Sequence, residues 1–272
     1  LVIAKAQSNV TWSTPLPVTY GTALSSTQLN AMADVPGVFT YSPLAGTVLD
    51  AGLQALGVSF VPTDTTNYIG STGSQNLLVN RATAIVSLSG LTPTYDGSPQ
   101  SVGVTTTPSG LSTSVTYDGG ITAPTNSGTY PVVATISDAN YVGSVSGSLI
   151  IAKATPVITW TPASPQSDGY VLDSAVLNAS ADVAGTLVYT PTAGTALNLG
   201  DNTVTVDFTP TDTANYLAAD AIRTINVTAV APAITQDPVG QSVVVGGAIS
   251  LSVVATGSGP LSYQWRKDTV DL

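Results

Sequence analysis

One feature governs what this chain can fold into: it repeats itself. Ile3-Ala4-Lys5-Ala6 returns as Ile151-Ala152-Lys153-Ala154, an offset of 148 residues. The offset then holds without a gap from Trp12/Trp160 to Tyr68/Tyr216, with roughly half the positions identical, far beyond chance. Pro62-Thr63-Asp64-Thr65, for example, recurs as Pro210-Thr211-Asp212-Thr213. Asn80-Arg81-Ala82-Thr83 resembles the boundary at Ala152-Lys153-Ala154-Thr155, so the unit divides into two domains of about 75 residues, the size of a small β-sandwich. A fourth boundary falls near Thr228, before Pro232-Ala233-Ile234.

The order read from these boundaries has five segments. Residues 1–6 read as the last strand of a preceding domain. Residues 7–82 form a first domain, and 83–154 a second of a different subtype. Residues 155–228 repeat the first. Residues 229–272 begin a further domain and stop about halfway, so the chain reads as an excerpt of a longer protein. Almost no residues serve as linkers. The stretch from Leu149 to Ile158 reads as one strand running into the next domain's first. Short apolar junctions limit bending where Gly/Ser linkers would permit it, which predicts an extended rod.

Composition selects the structural class. All 16 acidic residues are Asp, and Lys and Arg number only 6. The usual surface helix formers are therefore missing. Thr, Val, Ser, Gly and Pro dominate, as in short strands joined by turns. Disorder is excluded because 43% of the residues are hydrophobic and they alternate with polar ones. Val204, Val206 and Phe208 alternate with Thr203, Thr205, Asp207 and Thr209. Ile249, Leu251, Val253 and Ala255 do the same against Ser250, Ser252, Val254 and Thr256, and so do Leu261, Tyr263 and Trp265 against Ser262, Gln264 and Arg266. A period of two with one polar face predicts antiparallel sheets packed on one side. Asp96-Gly97, Asp118-Gly119 and Gln166-Ser167-Asp168-Gly169 mark turns in which Gly accepts positive φ.

The same composition narrows function. The chain has neither His nor Cys, which removes the usual zinc, copper, haem and iron–sulfur ligand sets. It also removes histidine bases and Cys or Ser–His nucleophiles. A net charge of −10 opposes binding to nucleic acid and anionic membrane. No apolar run reaches the roughly 18 residues of a membrane-spanning helix. Paired Asp residues for glycoside hydrolysis find no spacing that sets two of them across a cleft. No catalytic residue and no resident cofactor is expected.

Three sets of residues invite a specific role. Asp64-Thr65-Thr66-Asn67-Tyr68 recurs as Asp212-Thr213-Ala214-Asn215-Tyr216, with a shorter relative in Asp138-Ala139-Asn140-Tyr141. The loop oxygens suit calcium. The favoured reading is structural: a turn resembling the tyrosine corner of immunoglobulin-like sandwiches, in which the hydroxyl of Tyr68, Tyr141 or Tyr216 ties down the loop. Asp34 and Asp182 are equivalent and join Asp64 and Asp212 as weak calcium candidates. No dense Asp-x-Asp-x-Asp run accompanies them. Trp12, Trp160 and Trp265 could stack on sugars, but packing in a core or junction is the commoner use of such residues. Exposed Trp12 and Trp160 would favour glycan binding. A Lys–Asn cross-link from Lys5, Lys153 or Lys267 needs an amine buried beside Asn and a carboxylate, which the sequence does not support.

These residues carry a resemblance. Residues 83–154 resemble the MBG-type bacterial immunoglobulin-like repeat through Leu91-Thr92-Pro93-Thr94-Tyr95-Asp96-Gly97, Val115-Thr116-Tyr117-Asp118-Gly119, Gly128-Thr129-Tyr130 and Asn140-Tyr141-Val142-Gly143, closing with Ile151-Ala152-Lys153-Ala154. Residues 7–82 and 155–228 are similar to the bacterial Ig-like repeats that accompany it in large surface proteins. Residues 232–271 are similar to the front half of an immunoglobulin domain, with Val253 where disulfide-bearing members carry their first Cys. The resemblance implies an all-β tandem array of small Ig-like β-sandwiches, secreted, displayed on the bacterial cell surface, and used in adhesion. The expected role is a non-catalytic stalk or spacer in an adhesin or extracellular filament. The alternatives are a glycan-binding array and a filament subunit whose copies complete one another's sandwiches by strand donation. Expected partners are neighbouring domains, other copies, or cell-surface glycans.

Overall fold

The computed structural model describes residues 3–272. Among them there is no helix, and the chain is built from short strands. It separates into two compact units, divided between Ala152 and Lys153. The first unit holds the first two sandwiches.

In the first sandwich the strands run in the order Val18–Thr19, Ser71–Asn80, Gly52–Pro62, Gly37–Ser42. A smaller pair, Val10–Thr11 with Met32–Ala33, faces this sheet. Strict alternation along Gly52–Pro62 sends Leu56, Val58 and Phe60 inward. Leu24, Leu29, Leu77 and Val79 close the core with Trp12 and Tyr41. Each fully buried Leu, Val or Phe contributes about 1.5–3 kcal/mol. The third sandwich repeats the plan, with Gly200–Pro210 at its centre. Val204, Val206 and Phe208 are buried as their alternation predicts, together with Ile225 and Trp160.

The second sandwich differs. Thr113–Tyr117, Gly128–Ile136 and Ser144–Ile151 form one sheet, and Ile85–Ser89 with Gly103–Thr107 form the other. Two adjoining core clusters, around Val132 and Leu149 and around Ala134 and Ile136, share Leu88, Val104 and Val115. Asp118 and Gly119 both have positive φ (48° and 81°). Tyr117 and Gly120 exchange backbone hydrogen bonds of 2.7 and 2.9 Å across them, the geometry of a tight two-residue hairpin turn.

Pairing fixes where the chain changes domain. Asn80 pairs with Thr19, and Ala82 pairs with Tyr141 of the next sandwich, leaving Arg81 as the crossing residue. Ile151 pairs with Gly128 and Ala152 bridges to Thr94, while Ala154 bridges to Tyr216. The stretch 149–158 is thus interrupted at Lys153, and its next strand, Ile158–Thr159, pairs separately with Ser180–Ala181. Ala6–Gln7 likewise pairs with Tyr68–Ile69. By pairing, Ala6 belongs to the sandwich that follows it. Leu1 and Val2, the start of the strand expected over residues 1–6, lie outside the described residues.

The last segment departs from expectation. Ala233–Gln236 pairs with Val254–Thr256, and Arg266–Lys267 with Val270–Asp271. The alternating runs 249–253 and 261–265 form no strands. Ile249 is 53% exposed and Tyr263 55%. Alternation assigns faces, but a strand also needs a partner backbone and a second layer to cover its apolar side. Among the described residues the run 249–253 pairs with no strand, and the run 261–265 gains a single backbone bond, from the Leu272 N–H to the Trp265 carbonyl at 3.0 Å.

Candidate functional site

The repeated Asp…Asn-Tyr corners sit where each sandwich receives the chain. In the first, Asp64 Oδ1 accepts the backbone N–H groups of Thr66 and Asn67, both at 3.1 Å, and Oδ2 accepts the Asn67 amide at 2.8 Å. Asp212 does the same for Ala214 and Asn215. The side-chain bond from Asn67, then its backbone N–H, holds the Asp64 carboxyl below the ordinary carboxylate range. Asn215 acts in the same way on Asp212. These carboxylates organise their own loops.

The scarce basic residues converge here. Lys5 Nζ donates to the Thr65 carbonyl at 2.6 Å, and Lys153 Nζ to the Thr213 carbonyl at 2.7 Å. The backbone completes the corner: the N–H of Ala6, Ala82 and Ala154 donates to the carbonyl of Asn67, Asn140 and Asn215 at 2.8, 2.9 and 2.9 Å. Half of the chain's six basic residues, Lys5, Arg81 and Lys153, therefore stand just before these three alanines.

The other calcium candidates are engaged by backbone. Asp34 Oδ1 accepts the N–H of Asn9, and Asp182 Oδ1 that of Val157, each at 2.9 Å. Each of these residues also donates its own N–H back, to the Asn9 and Val157 carbonyls at 3.2 Å, so both carboxylates tie two chain segments together. Among the described residues, no three acidic side chains gather into a cation site.

Hydroxyl ties to the backbone occur at tyrosines that the corner motif does not include. Tyr41, Tyr117 and Tyr189 hydroxyls accept the backbone N–H of Ala31, Val102 and Ala179 at 2.9, 3.0 and 2.8 Å. Tyr41 and Tyr189 are equivalent at the 148-residue offset, and that equivalence is the signal in the sequence that marks them. Tyr68, Tyr141 and Tyr216 contribute backbone pairing with the incoming strand.

Two of the three tryptophans are turned into the protein. Trp160 is 3% exposed, donates Nε1–H to the Val176 carbonyl at 2.8 Å, and meets Tyr189 edge-on at 5.7 Å. Trp12 is half-buried, donates to the Gln28 carbonyl at 3.0 Å and meets Tyr41 edge-on at 5.5 Å. The exposure that a pair of sugar-stacking faces requires is absent at Trp160. Trp265 is 38% exposed and lines an open groove of about 380 Å³ with Ile234, Val253 and Tyr263.

The first unit contains a complete domain junction. The Asn140 side chain donates to Asp50 Oδ1 at 3.0 Å and accepts the Ala51 N–H at 2.7 Å. Tyr141 and Tyr20 meet edge-to-face, 5.4 Å between centroids and 75° between planes. Asp50, Ala51 and Tyr20 belong to the first sandwich, Asn140 and Tyr141 to the second. A two-bond amide contact and an aromatic pair thus join the domains across a one-residue crossing.

Residues 84–155 match the MBG domain family. No curated protein matches the chain. Among solved structures, the chain is similar to Sidekick-1 immunoglobulin domains 1–5, with 15% identity and a TM-score of 0.27 over 92% of this chain and 67% of that one. It is also similar to Drosophila N-cadherin EC1-4, with 11% identity and a TM-score of 0.23 over 82% and 77%.

Proposed function

We propose that this chain, with an MBG domain between two copies of a second β-sandwich, is a non-catalytic spacer section of a secreted bacterial surface adhesin or extracellular filament. The observation that carries the reading is the crossing at Arg81. The residue before it is bonded into one sandwich and the residue after it into the next. Such a crossing leaves little free chain to bend. Spacing and stiffness are what a stalk requires, and a string of independent binding modules requires neither. The acidic surface keeps copies soluble and weakly self-repelling. Stability rests on cores and junctions, so redox conditions leave it unchanged.

Small-angle scattering of the full chain, with calcium and then with chelator, tests this. The expected result is an elongated particle whose length grows by about 33 Å per sandwich, the same in both conditions. A compact or flexible particle would overturn the spacer reading. Elongation only with calcium would replace it with a metal-stiffened stalk.

A further inference from the structure

We infer that Asn140 and Tyr141 form a docking corner that sets the orientation of the second sandwich on the first. The surface it fits is a domain edge that presents an aromatic ring, a peptide N–H and an adjacent carboxylate. In this chain that edge is Tyr20, Ala51 and Asp50. The corner acts on one pair of domains, whatever the whole array does, and so stands apart from the spacer reading.

The corner is preorganised. Asp138 Oδ1 accepts the backbone N–H of Asn140 at 2.8 Å and of Tyr141 at 3.2 Å. The Ala82 N–H donates to the Asn140 carbonyl and the Ala84 N–H to that of Val142, each at 2.9 Å. The loop is therefore anchored to the incoming strand before its side chains reach outward. Asn140 then uses both ends of its amide at once, donating to Asp50 and accepting from Ala51. A side chain that donates and accepts toward one edge fixes direction as well as distance. The Tyr20–Tyr141 pair adds a second directional contact, since the positive edge of one ring favours the negative face of the other.

The contacts also close a ring. The Tyr20 N–H donates to the Asn80 carbonyl at 2.8 Å. From Asn80 the chain passes through Arg81 to Ala82, which is bonded to Asn140, and Tyr141 returns to Tyr20. Without the side-chain contacts, rotation about the φ and ψ of Arg81 would let one sandwich swing against the other. With them, rotation at Arg81 must break the amide contact or the ring contact. The equivalent positions of the third sandwich carry Asp168, Asn198 and Leu199. The full set of ring and carboxylate belongs to the first copy, so the two copies are not interchangeable as partners for this corner.

The chain has no cysteine, so spin labels can be placed at will. Ser59→Cys and Ser146→Cys, both exposed and one in each sandwich, report the junction by double electron–electron resonance on the full chain. A single narrow distance is expected. Asn140→Ala and Asp50→Ala should each roughly double the width of that distribution, because free domain motion is the default once an interface is lost. Asn67→Ala, at the far corner of the first sandwich, should leave it unchanged. Asp50→Ala touches only an exposed turn, so it reads the junction even if Asn140→Ala disturbs its own loop. A wild-type distribution in Asp50→Ala would overturn the inference, as would equal broadening in Asn67→Ala.

Discussion

Gly185 opposes Pro210 in the third sandwich, and the ring of Phe208 lies over it from the diagonal position. A Cβ at residue 185 would meet the Phe208 ring and the Thr209 carbonyl oxygen, each at 2.4 Å. The ring is 1% exposed and has nowhere to turn, and the oxygen belongs to the partner strand. Overpacking of this kind costs about 1–3 kcal/mol, and a backbone clash places Gly185→Ala at the upper end. A domain of about 75 residues holds about 4–11 kcal/mol in total. The substitution should therefore lower the melting temperature of this sandwich by about 10–20 °C, read by calorimetry of the full chain. Gly57→Ala is the matched control. Its Cβ would meet only the Ser42 carbonyl at 3.6 Å, and the third sandwich already carries Thr205 at that position. It should stay within about 0.5 kcal/mol of wild type. A loss below about 1 kcal/mol for Gly185→Ala would refute the argument that the ring requires a bare backbone beneath it.

Tyr117→Phe removes the acceptor of the buried Val102 N–H and should cost about 1–3 kcal/mol, measured by denaturant titration. Because hydrogen bonds lower the Asp64 and Asp212 carboxyls in the folded state, their contribution is present above the unfolded value near about 3.9 and is lost as pH falls through the folded ones. Melting temperature should drop below about pH 4, and Asp64→Asn with Asp212→Asn should flatten that slope. Burial, then the hydrogen bond to Asp173, pushes the Tyr170 phenol up to about 12. Its contribution is therefore lost only as pH rises from about 10 toward 12, and Asp173→Asn should bring the ultraviolet titration of this phenol downward.

The fold class was legible because internal repetition and period-two alternation are both local signals. Val204, Val206 and Phe208 alternate and are buried. Ile249 and Leu251 alternate equally well and remain exposed, because alternation does not supply a partner strand. The Asp…Asn-Tyr corners were conspicuous by repetition, but that each receives the incoming strand was not readable, since Ala6 and Asn67 meet only in the folded sandwich. Which tyrosine hydroxyl ties the backbone was not either, since Tyr41 reaches Ala31 only once two sheets have folded together. The Asn140 contact was further from view. Its partner Asp50 lies 90 residues away, and nothing in the local sequence of either residue announces the other.

In each complete sandwich an early segment runs parallel to the last strand: Val18–Thr19 beside Val79–Asn80, Thr94 beside Ala152, and Gln166–Ser167 beside Val227–Thr228. Tension on the two ends of such a domain pulls parallel neighbours in opposite directions along their common axis. Their hydrogen bonds lie across the pull and are loaded together. Antiparallel neighbours pulled from the same end would instead unzip bond by bond. Under such tension these parallel pairs would be loaded in shear rather than unzipped.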